Sequence, residues 1–222
     1  MRIGILGGTG PAGSALGARL ASIGYDVVIG SRSAERATEV VDQLKADHPG
    51  MSLPMTGGDN VAASRCDVVV LATPWDSAAT TAKDLIEDLR GKVIISMANA
   101  LVRVGGEFQP LLPPRGSVAA HVQAAVPECH VVAAFHHLPA KELGHLGEPI
   151  DSDVLVCSDS AAAKSTAMEI VAKIPGCRPL DAGQLSNATA IEAFTAVLLQ
   201  LNVRYKTRVA PKLNGITRDP RA

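Results

Sequence analysis

The sequence predicts an α/β fold built on a doubly wound parallel sheet, and three observations carry that prediction. Short, nearly all-apolar runs such as Asp67-Val68-Val69-Val70-Leu71-Ala72 alternate with segments of helical period. The first run, Arg2-Ile3-Gly4-Ile5-Leu6, passes directly into a glycine-rich loop that opens a helix. The alternation then continues to about residue 205 of 222.

Taken in order, a strand over 2–6, a helix over 12–23 with Leu16, Leu20 and Ile23 at helical spacing, and a strand over 27–29 make an opening βαβ unit. A helix over 34–46 follows, with Ala37, Val40, Val41 and Leu44 on one face. Then come a strand over 67–72 ending at Thr73-Pro74, a helix over 78–89, and strands over 93–96 and 131–135. Residues 105–116 hold glycines and prolines that break regular structure, so they read as a lid or a connection. Residues 117–125 form a short apolar element. Beyond Pro139 the pattern gives a strand over 153–157, a helix over 160–174, a short segment over 178–180 and a helix over 186–205. The expected organisation is a Rossmann-type domain over 1–140 and a small C-terminal α/β domain over 141–222.

Composition narrows the partners. Hydrophobic residues make up 47% and charged residues 19%, with a net charge of −1, so no charge bias points to nucleic acid or a membrane surface. Small-molecule partners are expected instead. No apolar stretch approaches the roughly 18 residues of a membrane span, and the N-terminus lacks signal-peptide features, so a cytoplasmic location is expected. Cys66, Cys129, Cys157 and Cys177 show no paired spacing and read as buried free thiols.

Gly8-Thr9-Gly10-Pro11-Ala12-Gly13 fits G-x-G-x-x-G in the position where a dinucleotide site needs it, after a strand and at the start of a helix. The helix N-terminus offers free N–H groups and a positive dipole end to a pyrophosphate. An acidic residue normally closes the second strand and accepts from both ribose hydroxyls of NAD. Here the chain reads Gly30-Ser31-Arg32-Ser33, and Arg36 follows one helical turn later. A hydroxyl and guanidinium groups bind a 2′-phosphate that a carboxylate would repel, so NADP(H) is the expected dinucleotide. The same loop also reads Gly7-x-x-Gly10-x-x-Gly13, the spacing of short-chain dehydrogenases. That class uses Tyr-x-x-x-Lys, whereas Tyr25 is followed four places on by Ile29 and Tyr205 by Val209, which excludes it.

The residues Leu6-Gly7-Gly8-Thr9-Gly10, Val28-Ile29-Gly30-Ser31-Arg32, Thr73-Pro74-Trp75, His136-x-Leu138-Pro139-Ala140 and Arg178-Pro179-Leu180-Asp181-Ala182-Gly183 resemble the NADPH-dependent coenzyme F420 reductases. The resemblance implies a dinucleotide domain with a small second domain folded against it, a homodimer, and reversible hydride transfer to a deazaflavin, coenzyme F420. Carried over by position, it implies that Gly8, Thr9, Gly10, Pro11 and Ala12 line the pyrophosphate turn, and Ser31, Arg32 and Arg36 the 2′-phosphate. Thr73, Pro74, Ser77, Asn99 and Ala140 would serve the nicotinamide half. Ser96, Met97, His136, Leu138 and Pro139 would border the deazaflavin. No catalytic acid, base or metal is implied, because ring positioning suffices for hydride transfer; His136 would orient the acceptor.

The sequence departs from the family at Asn99, which is more polar than expected, at His137 and after Asn202. Other acceptors (a flavin, a metal complex, an imine or keto acid) and a non-catalytic NADP-sensing role therefore remain open as alternatives. Trp75 reads as a cleft wall or as packing. Asp181 and Glu192 suit turn and helix-surface roles rather than catalysis. In the last helix, Ile191, Phe194, Leu198 and Leu201 make an apolar face suited to a core or a dimer contact. Lys206, Arg208, Lys212, Arg218 and Arg221 read as a solvated basic tail.

Overall fold

The computed structural model describes residues 1–216. Its centre is a six-stranded parallel sheet in the order β3-β2-β1-β4-β5-β8. The strands are β1 (Arg2–Leu6), β2 (Asp26–Ser31), β3 (Met55–Asp59), β4 (Val68–Leu71), β5 (Val93–Ser96) and β8 (His130–Ala133). Strand order reverses between β1 and β4, so the crevice outside their carboxyl ends is where a ligand is expected in such a sheet.

One face of the sheet carries Ile3 and Ile5 against α1 (Pro11–Ser22), α2 (Ala34–Asp47) and α8 (Ala161–Ala172). The other carries Leu6, Val69 and Leu71 against α3 (Asn60–Ser64), α4 (Trp75–Asp84) and α6 (Val118–Ala125). Strands β1, β2 and β4 are covered on both faces, which is why they read as continuous apolar runs, whereas β3 lies at the edge of the sheet. Each apolar cluster runs past residue 140, to Ile174 on one face and to Ile191 on the other.

Several elements differ from the sequence reading. The segment expected as a helix over 78–89 is two pieces, α4 and α5 (Ile86–Leu89), joined at Leu85. The expected loop holds β6 (Leu101–Val104) and β7 (Glu107–Pro110), paired antiparallel. Gly105 and Gly106 both have positive φ, 56° and 91°, the two-residue turn whose twist matches flanking strands. The glycines there start a hairpin rather than end order. A short helix, α7 (Ala140–Gly144), follows β8.

The C-terminal part contributes a parallel pair, β9 (Ser152–Val156) and β10 (Cys177–Asp181), and the long helix α9 (Ala188–Tyr205). An antiparallel bridge between Ala133 and Cys157 joins this pair to the end of β8. The chain then returns over β9 and β10. Asp153, fully buried, accepts from Arg178 (2.7 and 2.8 Å) and from Leu213 N (2.6 Å), while Arg178 also donates to Leu213 and Ile216 carbonyls. The Arg178 bonds hold the Asp153 carboxyl below its ordinary range. The basic tail is thus partly paired, because Lys212 meets Asp151 and Arg208 meets Glu142. Arg218 and Arg221 lie outside the described residues. Among the described residues no helix is long and apolar enough to cross a membrane.

Candidate functional site

A cavity of about 620 Å³ opens at the carboxyl ends of β1, β2 and β4. Its lining includes Thr9, Gly10, Pro11 and Ala12 at the first turn of α1, Ser31, Arg32 and Arg36 after β2, and Thr73, Pro74 and Ser77 after β4. The turn is built for an anion. Helix α1 starts at Gly10 with Pro11 in its first turn, no side-chain cap and no acidic residue, which leaves its first N–H groups to a ligand. A Cβ on Gly10 would meet nothing closer than 3.9 Å and would stand in the cavity, so the absence of a side chain there opens space for a phosphate. Gly8 does not reach the lining. It is buried, its N–H donates to the Gly30 carbonyl, and a Cβ would press on Ile5 O at 2.9 Å.

At the adenosine end, Ser31 is 8% exposed and its hydroxyl accepts from Ser33 N, which fixes the turn after β2. Ser33 caps α2 and donates to Glu35, whose carboxyl lies below its ordinary range through its backbone hydrogen bond and the Ser33 hydroxyl. Among the described residues neither Arg32 nor Arg36 pairs with a carboxylate, so two exposed guanidinium groups border the cavity with their charge unmatched. At the other wall the Thr73 hydroxyl is buried with no partner. A dinucleotide with a 2′-phosphate fits these groups: an anion-ready turn, two unmatched cations and an orphaned hydroxyl on the wall.

A second pocket, of about 290 Å³, lies beyond the carboxyl ends of β5 and β8. Its lining includes His136, Leu138 and Pro139, three of the residues that the resemblance assigns to the deazaflavin. Asn99 and Ala140, expected on the nicotinamide half, also line this pocket rather than the first. Ser96 and Met97 do not reach either lining; Ser96 is fully buried and Met97 is 7% exposed, because β5 ends beneath the pocket floor. Phe135, buried with φ 67°, turns the chain out of β8 at a cost of about 1–2 kcal/mol and so aims the next residues into the pocket.

His136 is 6% exposed and neither ring nitrogen makes a well-formed hydrogen bond, although the Met97 and Ala98 carbonyls lie close enough to favour its charged form. Burial first, and the neighbouring His137 second, push its pKa down to about 3, so the ring is neutral with one donor and one acceptor to offer. A buried imidazole without a well-formed hydrogen bond costs free energy that a ligand bond would relieve. His137 is already engaged, with Nε2 2.7 Å from the Ile191 carbonyl and its ring edge-on to Phe194 at 5.5 Å. Across the pocket, Thr195 donates to Asn99 Oδ1 (3.0 Å) and Asn99 donates to the His136 carbonyl (3.3 Å), which fixes the Asn99 amide.

Glu192 overturns its expected helix-surface role. It is 4% exposed, and its carboxylate accepts from Val118 N (2.7 Å) and Ala119 N (3.0 Å) at the start of α6. Burial outweighs those bonds and pushes its pKa up to about 7. Trp75 begins α4 and packs on the apolar cluster, and Asp181 accepts from Gly183 N and pairs with Lys164.

These two buried groups act on stability with opposite sign. His136, depressed from 6.5 to about 3, is a group the unfolded chain protonates first, so its contribution is present above about 6.5 and lost as pH falls. Glu192, raised from 4.5 to about 7, is protonated first in the folded chain, so its contribution is present below about 4.5 and lost as pH rises towards 7. Between roughly 4.5 and 6.5 the two slopes oppose each other. Glu192→Gln is therefore expected to make the fall of Tm with acidification steeper in that window; an unchanged slope in thermal melts would count against the Glu192 assignment.

A family model described as NADP oxidoreductase, coenzyme F420-dependent, matches residues 2–100. The F420-dependent NADP reductase of Methanocaldococcus jannaschii is 38% identical over 94% of this chain and 95% of its own length. The chain belongs to the F420-dependent NADP reductase family. A second member, from Methanothermobacter thermautotrophicus, is 34% identical over 95% of the chain and 93% of its own length. A crystal structure of an Arthrobacter sp. FB24 protein assigned to F420-dependent NADP reduction superposes with a TM-score of 0.79 at 25% identity, over 95% of this chain and all of that one. The resemblance read from the sequence motifs agrees with these matches.

Sequence reasoning missed part of both linings. Asn60 and Thr81 join the first cavity, and Asn60 Oδ1 accepts from Gly7 N at 3.2 Å. Leu101, Thr195, Leu198, Leu199, Asn202 and Val209 join the second. The α9 members fall at i, i+3, i+4 and i+7, a signal present in the sequence that reads equally as core. Asn60 carries no such signal, since α3 is five residues long.

Proposed function

We propose that the chain transfers a hydride reversibly between NADP(H) and coenzyme F420. One observation carries the reading: both pockets open on the same carboxyl edge of one parallel sheet, the dinucleotide cavity over β1, β2 and β4 and the acceptor pocket over β5 and β8. The full-length likeness to F420-dependent NADP reductases supports it. When bound, NADPH supplies a hydride from C4 of the nicotinamide, and C5 of the deazaflavin accepts it.

The protein's own part is positional. The turn at Thr9, Gly10, Pro11 and Ala12 holds the pyrophosphate, and Ser31, Arg32 and Arg36 hold the 2′-phosphate. Thr73, Pro74 and Ser77 lead the nicotinamide half towards Asn99 and Ala140. Leu138 and Pro139 give the acceptor an apolar wall that excludes water, with Ser96 and Met97 packed beneath. His136, neutral, offers a hydrogen bond without exchanging a proton. Stacked rings need an approach of roughly 3–3.5 Å, and this arrangement supplies the walls for it.

We read residues 1–140 as the dinucleotide domain and 141–222 as the part that completes the acceptor side, in a cytoplasmic homodimer. Phe194, Val197 and Val203 on α9 and Val102 and Val104 on the adjoining hairpin leave an exposed apolar face suited to a second copy.

The test is to mix the protein with oxidised F420 and either NADPH or NADH, following loss of deazaflavin absorbance. Rapid bleaching with NADPH and at least tenfold slower bleaching with NADH is expected, as about 1.4 kcal/mol or more of phosphate binding requires. NADPH binding without any bleaching would reject the acceptor.

A further inference from the structure

Arg19 is fully buried, 1% exposed, on α1 eight residues after Pro11, roughly 12 Å along the helix from the pyrophosphate turn. A buried cation normally has a carboxylate partner, and among the described residues Arg19 has none. All five of its N–H groups go instead to backbone carbonyls of one segment. Nε donates to Leu143 (3.0 Å), Nη1 to Leu146 (3.2 Å) and Glu148 (2.9 Å), and Nη2 to Glu142 (2.9 Å) and His145 (2.7 Å). Carbonyls at a helix end and in the loop after it lack intrahelical partners, and a single fixed guanidinium fork caps five of them, of which Glu142 and His145 also accept from the backbone N–H groups of His145 and Glu148.

The segment it grips begins at the acceptor pocket. Pro139 and Ala140 line that pocket, Pro139 O accepts from Leu143 N at 3.0 Å, and Leu143 O accepts from Arg19. Leu143, Leu146 and Ile150 are buried in the cluster that also holds Leu16 and Leu20 of α1. One unbroken path of short bonds therefore runs from the helix that starts at the dinucleotide turn to the wall of the acceptor pocket.

We propose that Arg19 is a positioning residue that sets the acceptor wall at residues 138–140 against the dinucleotide turn. The inference rests on the proposed reading of the two pockets. Arg19 touches neither coenzyme; it acts through Leu143 and Pro139 on the spacing of two rings. A misplacement of about 1 Å in such a step costs on the order of a hundredfold in rate.

Arg19→Met and Arg19→Lys separate this role from a purely structural one. Lys keeps the charge with at most three donors, and serves if the Met variant does not fold. The readouts are NADPH affinity, hydrogen exchange in residues 139–150, and single-turnover transfer from NADPH and its 4-deuterated form to F420 with both coenzymes saturating. Exchange in 139–150 is expected to rise at least about tenfold, NADPH affinity to stay within about threefold, and transfer to slow by about ten- to a hundredfold with a larger isotope effect. Faster exchange with unchanged saturated transfer would overturn the proposal, as would unchanged exchange. If the unmodified protein fails to reduce F420, the functional reading falls on its own. The link is then judged by whether NADPH protects 139–150 in the unmodified protein and fails to do so in the variants; no such difference overturns it.

Discussion

Arg32→Glu is expected to weaken NADPH binding on the order of a hundredfold while changing NADH binding within about threefold. A hydrogen bond to a charged group contributes about 1.5–3 kcal/mol, and the new carboxylate adds repulsion where the guanidinium gave attraction. No described carboxylate neutralises Arg32 or Arg36, so the whole of that charge faces the cavity border. Arg32 is exposed, and the interaction is therefore screened. The NADPH preference of the unmodified protein should narrow as ionic strength rises from about 0.1 to about 1 M. Titration by nicotinamide fluorescence gives both affinities. Equal losses for NADPH and NADH would mean that Arg32 supports the turn after β2 rather than the 2′-phosphate.

Gly4→Ala is expected to cost about 3 kcal/mol or more of stability. A Cβ at Gly4 would stand 1.9 Å from the Ala63 carbonyl oxygen and 2.6 Å from its carbon. Those are backbone atoms of α3, which no rotamer change can move, and β1 is held on both sides by β2 and β4. In a chain of this size the loss corresponds to a Tm lower by roughly 6–12 °C. Gly30→Ala would meet the Ala63 Cβ at 2.7 Å, Asn60 Oδ1 at 3.0 Å and the Ile5 carbonyl oxygen at 3.1 Å, and should be milder because no backbone atom comes closer than 3 Å. Displacing α3 also moves Asn60 from the Gly7 N–H, so NADPH affinity should fall with stability. An unchanged Tm for Gly4→Ala would show that α3 docks less tightly than these distances require.

What the sequence disclosed follows from how the fold is buried. Strands covered on both faces must be apolar throughout, which is why Ile3, Ile5 and the run at Val68 to Leu71 announced the sheet. The glycine loop was legible because a strand, a turn and a helix all had to agree. Strand β3 was not, because Met55-Thr56-Gly57-Gly58-Asp59 is a polar edge strand with two glycines. Gly57 is there for space: a Cβ would lie 2.3 Å from Thr38 N of α2. Glu192 misled for a related reason. A carboxylate on a helix reads as solvated, and only tertiary packing brings the free N–H groups of α6 to it. In the candidate site, the motif residues Thr9, Gly10, Ser31 and Arg32 share one cavity because they sit at neighbouring strand ends, whereas Asn99 and Thr195 meet across a separation that no periodicity encodes.

The two linings also differ in when the ribosome makes them. All the residues named on the first cavity lie between Gly7 and Thr81, whereas the second pocket waits for Val209, which follows α9 and precedes the strand-crossing segment pinned by Arg178. During vectorial synthesis the residues of the first cavity are therefore complete in sequence well over a hundred residues before those of the second.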